Sequence, residues 1–251
     1  RAAAGAAPPR AAQGMAGEAP VADREVPLST ARRTIAERML ASRAATAAVT
    51  LTALVDATRL VALRTELKEA LGAEGEPAPT YTDLIVKLTA AALEVHPELN
   101  ARWAGDRIVL CGRIDIGVAV DAEGGLVVPV VRDVPRLSLR ALAACSRDLI
   151  ERARTRRLSL EEMNGGTFTV SNLGPMGVDA FTPIINAPEC AILGVGRIAR
   201  QPAVVEDRLV ARDQVWLSLT FDHRVVDGGP AARFLERVRT CLENPAARII
   251  L

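Results

Sequence analysis

The chain has 251 residues, of which 49% are apolar, so it can bury a substantial core and a disordered or fibrous protein is excluded. Lys and Arg number 31 against 30 Asp and Glu, and the resulting net charge of +1 argues against a nucleic-acid or anionic-lipid partner. Cys111, Cys145, Cys190 and Cys241 have neither CxxC nor metal-site spacing, and no apolar stretch approaches the roughly 20 residues that span a bilayer. A reducing compartment and no membrane partner are therefore expected.

The first 24 residues are predicted to be a flexible linker that precedes one domain over 25–251. Ten of the first 22 residues are alanine, prolines interrupt them, and large apolar side chains are almost absent. Such a segment gains too little buried surface to offset the entropy of ordering. Because residue 1 is Arg rather than Met, the chain is expected to be a piece of a longer polypeptide.

Helical and β-type patterns alternate after the linker. Ser29 or Thr30 is a candidate cap for an Arg-rich amphipathic helix, and a β-branched run over 50–55 is typical of a strand. Asp56 is a candidate cap for a helix that ends near Gly72. The further predicted elements, in chain order, are a helix over 80–94, a hairpin over 114–131 that turns at Glu123, Gly124 and Gly125, a helix over 138–154, a strand over 167–171, a strand that ends at Phe221 and a helix over 228–242. This interleaving predicts an α/β fold with a mixed β-sheet.

The two histidines are the candidates for a base near neutral pH. His96 lies at a predicted helix end before Pro97, where a structural role is the simpler interpretation. His223 directly follows a buried-type strand and precedes Asp227 and Gly228 in an H-x-x-x-D-G pattern, at a point where side chains leave a sheet and line a cleft. From these residues alone, a solvated histidine beside a capping aspartate is an equally good interpretation.

A strand with hydroxyl side chains runs into a glycine-rich turn over 165–174. Ser171 is placed to donate a hydrogen bond into a pocket, and as structure alone a turn cap would also account for it. A nucleophilic serine is disfavoured because no G-x-S-x-G elbow surrounds it. Neither a dinucleotide fingerprint nor a Walker sequence is present, so nucleotide hydrolysis is not supported, and no metal site is predicted.

With these two constellations, the sequence from Val26 to Leu251 resembles the catalytic core of the dihydrolipoamide acyltransferases, the central components of 2-oxo acid dehydrogenase complexes. The segments that carry the resemblance are 32–36, 99–101, 116–121, 125–130, 166–174, 183–186, the Asp222, His223, Arg224 triplet, and Asp227 with Gly228.

The resemblance implies a chloramphenicol-acetyltransferase-like two-layer fold with flanking helices. It also implies trimers with active sites between subunits, joined into a cubic or dodecahedral core. The linker would then tether the core to an upstream subunit-binding domain and a swinging lipoyl domain. The implied partners are this lipoyl domain and, through the upstream domain, the 2-oxo acid decarboxylase-dehydrogenase and dihydrolipoamide dehydrogenase components.

The implied activity is transfer of an acyl group between the dihydrolipoyl thiol and coenzyme A. By resemblance, His223 is the general base, Ser171 donates to the tetrahedral intermediate, and Asp227 fixes the histidine-bearing loop. The residues that fall where related acyltransferases contact coenzyme A are Arg64, Thr80, Asp121, Ser171, Asn172 and Gly196.

Two alternatives stay open at this stage: another coenzyme A-dependent acyltransferase of the same fold, and a non-catalytic scaffold. Asp222 stands where condensation domains usually carry a second histidine, and intact Ser171 and His223 argue against a scaffold. The sequence over 171–174 looks less like the succinyl enzymes, so an acetyl or branched-chain acyl group is expected. The expected location is the bacterial cytoplasm, or the mitochondrial matrix of a eukaryote.

Overall fold

The structure is a computed structural model that describes residues 23–122 and 125–249. Residues 1–22 of the predicted linker lie outside the described residues, as do Glu123 and Gly124 of the predicted hairpin turn. The helices are α1 (Thr30–Ala45), α2 (Thr58–Ala73), α3 (Tyr81–Val95), α4 (Leu139–Arg154), α5 (Gly228–Glu243) and α6 (Ala246–Ile249). The strands are β1 (Ala48–Asp56), β2 (Ala101–Trp103), β3 (Ile108–Leu110), β4 (Ile116–Val118), β5 (Val120–Ala122), β6 (Gly125–Val127), β7 (Val130–Val131), β8 (Phe168–Asn172), β9 (Ala191–Val195), β10 (Ala199–Val205) and β11 (Arg208–Asp222).

The main sheet is mixed, which confirms the predicted α/β class. Its strand order is β1-β11-β9-β8-β4-β7, and β10 pairs with the first part of β11. Strand β8 runs parallel to both β4 and β9, and the other pairs are antiparallel. Two separate ribbons, β2-β3 and β5-β6, extend from this sheet. The predicted hairpin over 114–131 is present as the nested pairs β4-β7 and β5-β6.

Local sequence signals account for several helix boundaries. The side chains of Ser29 and Ser138 accept hydrogen bonds from backbone amides in the first turns of α1 and α4. Thr80 and Asp83 form a capping box at the start of α3, which satisfies two amides that a helix start otherwise leaves unpaired. Helix α3 ends at Val95 because His96 precedes Pro97, and a residue in that position is disfavoured in the α region.

The apolar core lies between one face of the sheet and helices α3 and α5. On this face, Leu219, Leu193 and Val170 stand side by side on β11, β9 and β8, and all three are buried. The opposite face carries hydroxyls and glycine, because side chains alternate along each strand. An irregular segment over 173–190 covers part of that second face, where the Phe181 ring lies against Gly194.

Of the two predicted boundaries of α2, the N-cap was wrong and the end near Gly72 is confirmed to within one residue. The N-cap residue is Ala57, and Asp56 instead accepts a hydrogen bond from the Thr58 amide at 2.9 Å. The helix continues through Gly72 to Ala73, and the chain adopts a positive φ only at Gly75. A glycine within the last turn of a helix costs little, so it did not end the helix.

Candidate active site

Four of the residues expected to contact coenzyme A line one cleft. Arg64 of α2, Thr80 before α3, Asn172 of β8 and Gly196 after β9 border a cavity of about 390 Å³. Residues from distant parts of the sequence therefore meet where the ends of β8 and β9 face the start of α3.

The cleft depends on a close approach of the turns that follow β8 and β9. A Cβ atom on Gly174 would lie 2.6 Å from the Gly196 carbonyl oxygen, and one on Gly196 would lie 1.8 Å from the Asp179 carbonyl oxygen. Only glycine fits at these two positions. Asn172 joins the turn to the helix, because its Oδ1 accepts from the Gly174 amide at 2.9 Å and its Nδ2 donates to Thr82 Oγ1 at 3.0 Å.

The cleft offers an unpaired cation to a ligand. The Arg64 guanidinium stacks on the Tyr81 ring, with 5.0 Å from Cζ to the ring centroid, and forms no ion pair with any residue that the structure describes. Its buried Nε has no hydrogen-bond partner in this part of the chain. Arg197 at the same cleft pairs with Asp179. A buried orphan donor of this kind suits an anionic group such as a phosphate.

Ser171 lies beside the cleft but does not line it. It precedes Asn172 on β8, so its side chain points to the opposite face of the sheet. There it is half-buried and stands next to Gly194 of β9.

Ser171 and His223 lie at opposite ends of the sheet in one chain. In the register of the sheet, Ser171 of β8 is the partner of Gly194 of β9. Gly194 is in turn the partner of Ser218 of β11. His223 follows Ser218 by five residues, toward the end where β8 and β9 begin. Five strand residues correspond to about 16 Å along the sheet, and two strand spacings add about 10 Å across it. The two side chains therefore cannot act on one substrate within one chain.

The His223 imidazole has few contacts of its own. Its side chain is 45% exposed, and its Nδ1 lies 3.7 Å from a carboxylate oxygen of Asp227, whose side chain is 84% exposed. Asp227 occupies the N-cap position of α5 but makes no side-chain cap hydrogen bond. Within a single chain, the loop-fixing role expected for Asp227 therefore rests on this one long contact with His223.

Asp222 makes the contacts that hold the histidine turn, a role that sequence reasoning missed. Its buried carboxylate accepts from the Ala47 amide at 3.1 Å, the Arg224 amide at 3.1 Å and the Arg224 Nη2 at 2.6 Å. Burial alone would raise the pKa of Asp222, but the hydrogen bonds from Arg224 and Ala47 lower it below its ordinary value. The available signal was an aspartate and an arginine on either side of His223 in the sequence.

The remaining two candidates lie away from the cleft. His96 follows α3, its ring packs edge-on against Phe234 at 6.0 Å and its Nδ1 lies 3.3 Å from Glu98, which favours a structural role. Asp121 is exposed on the β5-β6 ribbon and does not border the cleft of its own chain. Within residues 23–122 and 125–249, no cluster of His, Cys, Asp and Glu side chains could hold a metal ion.

A buried carboxyl group near the histidine turn was also missed. Glu189 precedes Cys190, whose carbonyl accepts the Asp222 amide, and it borders a cavity of about 410 Å³ beneath α1. Thr169 Oγ1 donates a hydrogen bond to the Glu189 carboxyl group at 2.6 Å, and Asn186 Nδ2 donates to the same group at 3.1 Å. Burial raises the pKa of Glu189 to about 8, although these hydrogen bonds oppose the rise. The carboxyl group is therefore mostly protonated at neutral pH.

The variant Glu189→Gln is expected to flatten the dependence of stability on pH. Between about pH 4.5 and 8 the unfolded chain ionises Glu189 while the folded chain keeps it protonated, so the free energy of unfolding falls as pH rises, by about 1 kcal/mol per pH unit. Glutamine keeps the shape and removes this proton linkage. Urea unfolding at pH 5, 6, 7 and 8 measures the effect. Parallel wild-type and variant curves would contradict a raised Glu189 pKa.

None of the helices in the part of the chain described is long and apolar enough to cross a membrane.

The fold and the site residues match a family of acyltransferases. The family described as 2-oxoacid dehydrogenases acyltransferase (catalytic domain) matches residues 20–250, and the chain belongs to it. The dihydrolipoyllysine-residue acetyltransferase component of the acetoin cleaving system of Bacillus subtilis (strain 168) is 40% identical over 226 residues, which make up 90% of this chain and 57% of that protein. This chain thus spans little more than half of that relative. Other curated relatives include succinyltransferase components of 2-oxoglutarate dehydrogenase complexes and acetyltransferase components of pyruvate dehydrogenase complexes.

Two solved structures match the fold closely. The cubic core of a pyruvate dehydrogenase multienzyme complex matches with a TM-score of 0.87 and 38% identity, over 92% of this chain and 95% of that one. An Azotobacter vinelandii dihydrolipoamide acetyltransferase, investigated for the catalytic role of one serine, one histidine and one asparagine, matches with a TM-score of 0.87 and 37% identity over the same two shares. In that enzyme the serine precedes the histidine by 52 residues, and the asparagine follows the histidine by four.

Proposed function

We propose that this chain transfers an acyl group between a dihydrolipoyl thiol and coenzyme A. The observation that carries the proposal is spacing: Ser171 precedes His223 by 52 residues and Asp227 follows by four, as in the serine, histidine and asparagine of the Azotobacter vinelandii enzyme. The match lies within a shared fold and not in an isolated motif. Asp227 replaces the asparagine with a carboxylate.

His223 is the proposed general base. A thiol with a pKa near 8.5 is a weak nucleophile, and a neutral imidazole with a pKa near 6.5 removes its proton at a cost of about 2.7 kcal/mol. The resulting thiolate attacks the thioester carbonyl, the C–S bond to the leaving sulfur breaks, and His223 returns the proton to that sulfur. Because the reaction exchanges one thioester for another, the same base serves both directions and no acyl-enzyme forms.

Ser171 is the proposed donor to the negative oxygen of the tetrahedral intermediate. A hydroxyl already positioned by a central strand costs no reorganisation when that charge develops. Asp227, whose carboxylate lies 3.7 Å from His223 Nδ1, is the proposed orienting partner of the imidazole.

The cleft is the proposed coenzyme A site. Arg64 would pair with a phosphate, the Tyr81 ring provides an aromatic face, and the lack of side chains at Gly174 and Gly196 leaves room for an extended ligand. Asn172 supplies amide atoms at the same wall, and Thr80 shapes the edge of the cleft, because its amide and its hydroxyl both bond to Asp83. Asp121 lies on the β5-β6 ribbon and does not border this cleft in one chain, so its contact with coenzyme A stays a prediction.

Self-association is part of the proposal because one chain holds the two halves of a site about 20 Å apart. A trimer in which His223 of one chain approaches Ser171 of the next would complete three equal sites. Large apolar side chains that a single chain leaves exposed, among them Leu40 of α1 and Leu54 of β1, support such contacts. Similarity to the cubic core supports further assembly of trimers.

Mixing two inactive variants is expected to restore activity. When His223→Ala and Ser171→Ala chains are unfolded and refolded together, about one quarter of the interfaces in a random trimer pair an intact His223 with an intact Ser171. Acyl transfer should therefore recover to about that fraction of wild type. Each variant refolded alone is the control. Mixed particles without activity would place both residues in a site within one chain.

The connection of this chain to a wider complex is also part of the proposal. Residues 1–24 would be the tether to an upstream subunit-binding domain and lipoyl domain, which would bring the decarboxylase-dehydrogenase and dihydrolipoamide dehydrogenase components to the core. The bacterial relatives and the four free cysteines support a reducing bacterial cytoplasm.

The function is tested by initial rates with dihydrolipoamide and three thioesters. Acetyl-CoA or isobutyryl-CoA should be turned over and succinyl-CoA much more slowly, as the residues over 171–174 suggest. Faster turnover of succinyl-CoA would reassign the acyl group. Absence of transfer with all three by assembled particles would favour a scaffold.

A further inference from the structure

The orientation of His223 is set by the turn that carries it. Its backbone amide donates to the Ala47 carbonyl at 2.9 Å, while the imidazole has only the long contact to Asp227 and a tilted ring contact with Phe221 at 5.8 Å. A partly exposed ring with so few partners takes its direction from the backbone over 222–226. Whatever holds that turn therefore holds the imidazole.

The Asp222–Arg224 pair holds the turn from both sides of the histidine. Arg224 donates through its amide, its Nε at 3.0 Å and its Nη2 at 2.6 Å to one carboxylate. This occupies one edge of the guanidinium. Its flat face needs separate support, because an arginine held by one edge can still swing away toward solvent.

Trp103 covers that face. The Arg224 Cζ lies 4.9 Å from the centroid of the Trp103 ring, within cation–π range. Trp103 ends β2 opposite Ile108 of β3, and this hairpin is tied to the sheet where the Cys190 amide donates to the Ala101 carbonyl at 3.1 Å. Trp103 remains 41% exposed, so burial in the core of its own chain does not explain its place.

We propose that Trp103 is a positioning residue for the acyl-transfer reaction. It presses the Arg224 guanidinium onto Asp222 and thereby restricts the orientations of His223. Trp103 touches no reacting atom in this role. The inference rests on the proposed function of His223 and extends the site to the β2-β3 hairpin, which carries none of the motif residues.

The test compares Trp103→Leu, which keeps apolar bulk without a π face, with Trp103→Phe, which keeps an aromatic face. Loss of a cation–π contact at a partly exposed site corresponds to about a twofold to fivefold lower kcat. We expect this loss in Trp103→Leu with KM for both substrates unchanged, and substantial recovery in Trp103→Phe. In an Arg224→Met background, Trp103→Leu should have no further effect. Sedimentation confirms that the particles are intact.

Three results would overturn the role. A higher KM for dihydrolipoamide at unchanged kcat would make Trp103 a substrate contact, an unchanged kcat would remove it from the site, and an additive loss in the Arg224→Met background would break the link to Arg224. NMR of histidine-labelled protein gives a readout independent of activity, since the chain has only His96 and His223. The His223 signal should shift in Trp103→Leu while that of His96 stays in place. If the wild type lacks acyl transfer, the proposed function fails, and an unshifted His223 signal separately refutes the contact.

Discussion

His223→Ala is expected to lower the rate of acyl transfer at least about 100-fold, the lower end of the effect of a general base. The proton of the attacking thiol would have no acceptor within the site, and the small fraction of free thiolate would carry the residual rate. Stability should change little, because the imidazole is half-exposed and its contact with the core is a tilted one with the Phe221 ring. Initial rates, thermal unfolding and sedimentation of the same preparation separate these effects.

The matched control for this variant is His96→Gln. His96 is the other histidine of the chain and lies at the end of α3 against Phe234, so its loss should affect stability more than turnover. Near-wild-type turnover of His223→Ala would remove that residue from the mechanism. If His223→Ala failed to assemble, a lower rate could not be assigned to loss of the base. His223→Gln would then be measured in place of His223→Ala.

Ser171→Ala is expected to lower kcat by about 100-fold to 1000-fold with little change in KM. A hydrogen bond to the tetrahedral oxygen is formed chiefly in the transition state, so its removal acts on kcat and not on the binding of either thioester. Steady-state kinetics with acetyl-CoA and dihydrolipoamide measure both constants.

Ser146→Ala is the control for Ser171→Ala. Ser146 is a buried serine on α4, a helix that carries none of the proposed site residues, so removal of its hydroxyl should leave kcat unchanged. An effect of Ser171→Ala that appears only in KM would make Ser171 a binding residue, and equal losses in the two variants would point to a general effect on folding.

Elements that depend on local signals could be predicted from sequence. Ser29, Thr80 and Ser138 begin helices because their side chains bond to amides only a few residues away. Along β11, the apolar side chains at alternate positions, Val215, Leu217, Leu219 and Phe221, are buried, as strand periodicity requires. Strand β9 was not predicted, because it is buried on both faces and its apolar run over 191–195 lacks alternation.

The arrangement of the site could not be predicted from residue patterns, because it follows from strand order, and only the family resemblance implied sites between subunits. Ser171 and His223 were both identified, yet their separation depends on the placement of β9 between β8 and β11. The role of Asp222 depends on Ala47, which is 175 residues away in the sequence. Contacts of this range leave no periodic signal.

The strand register that separates Ser171 from His223 also has a consequence for the activity of a newly synthesised chain. A single chain has a base without a donor at one end of its sheet and a donor without a base at the other. Under the proposed function, a nascent or orphan subunit would hold acyl-CoA without discharging it, and thioester would be consumed only after neighbours had docked. Only assembled particles would then be active, so unassembled subunits in the cell would not consume acyl-CoA.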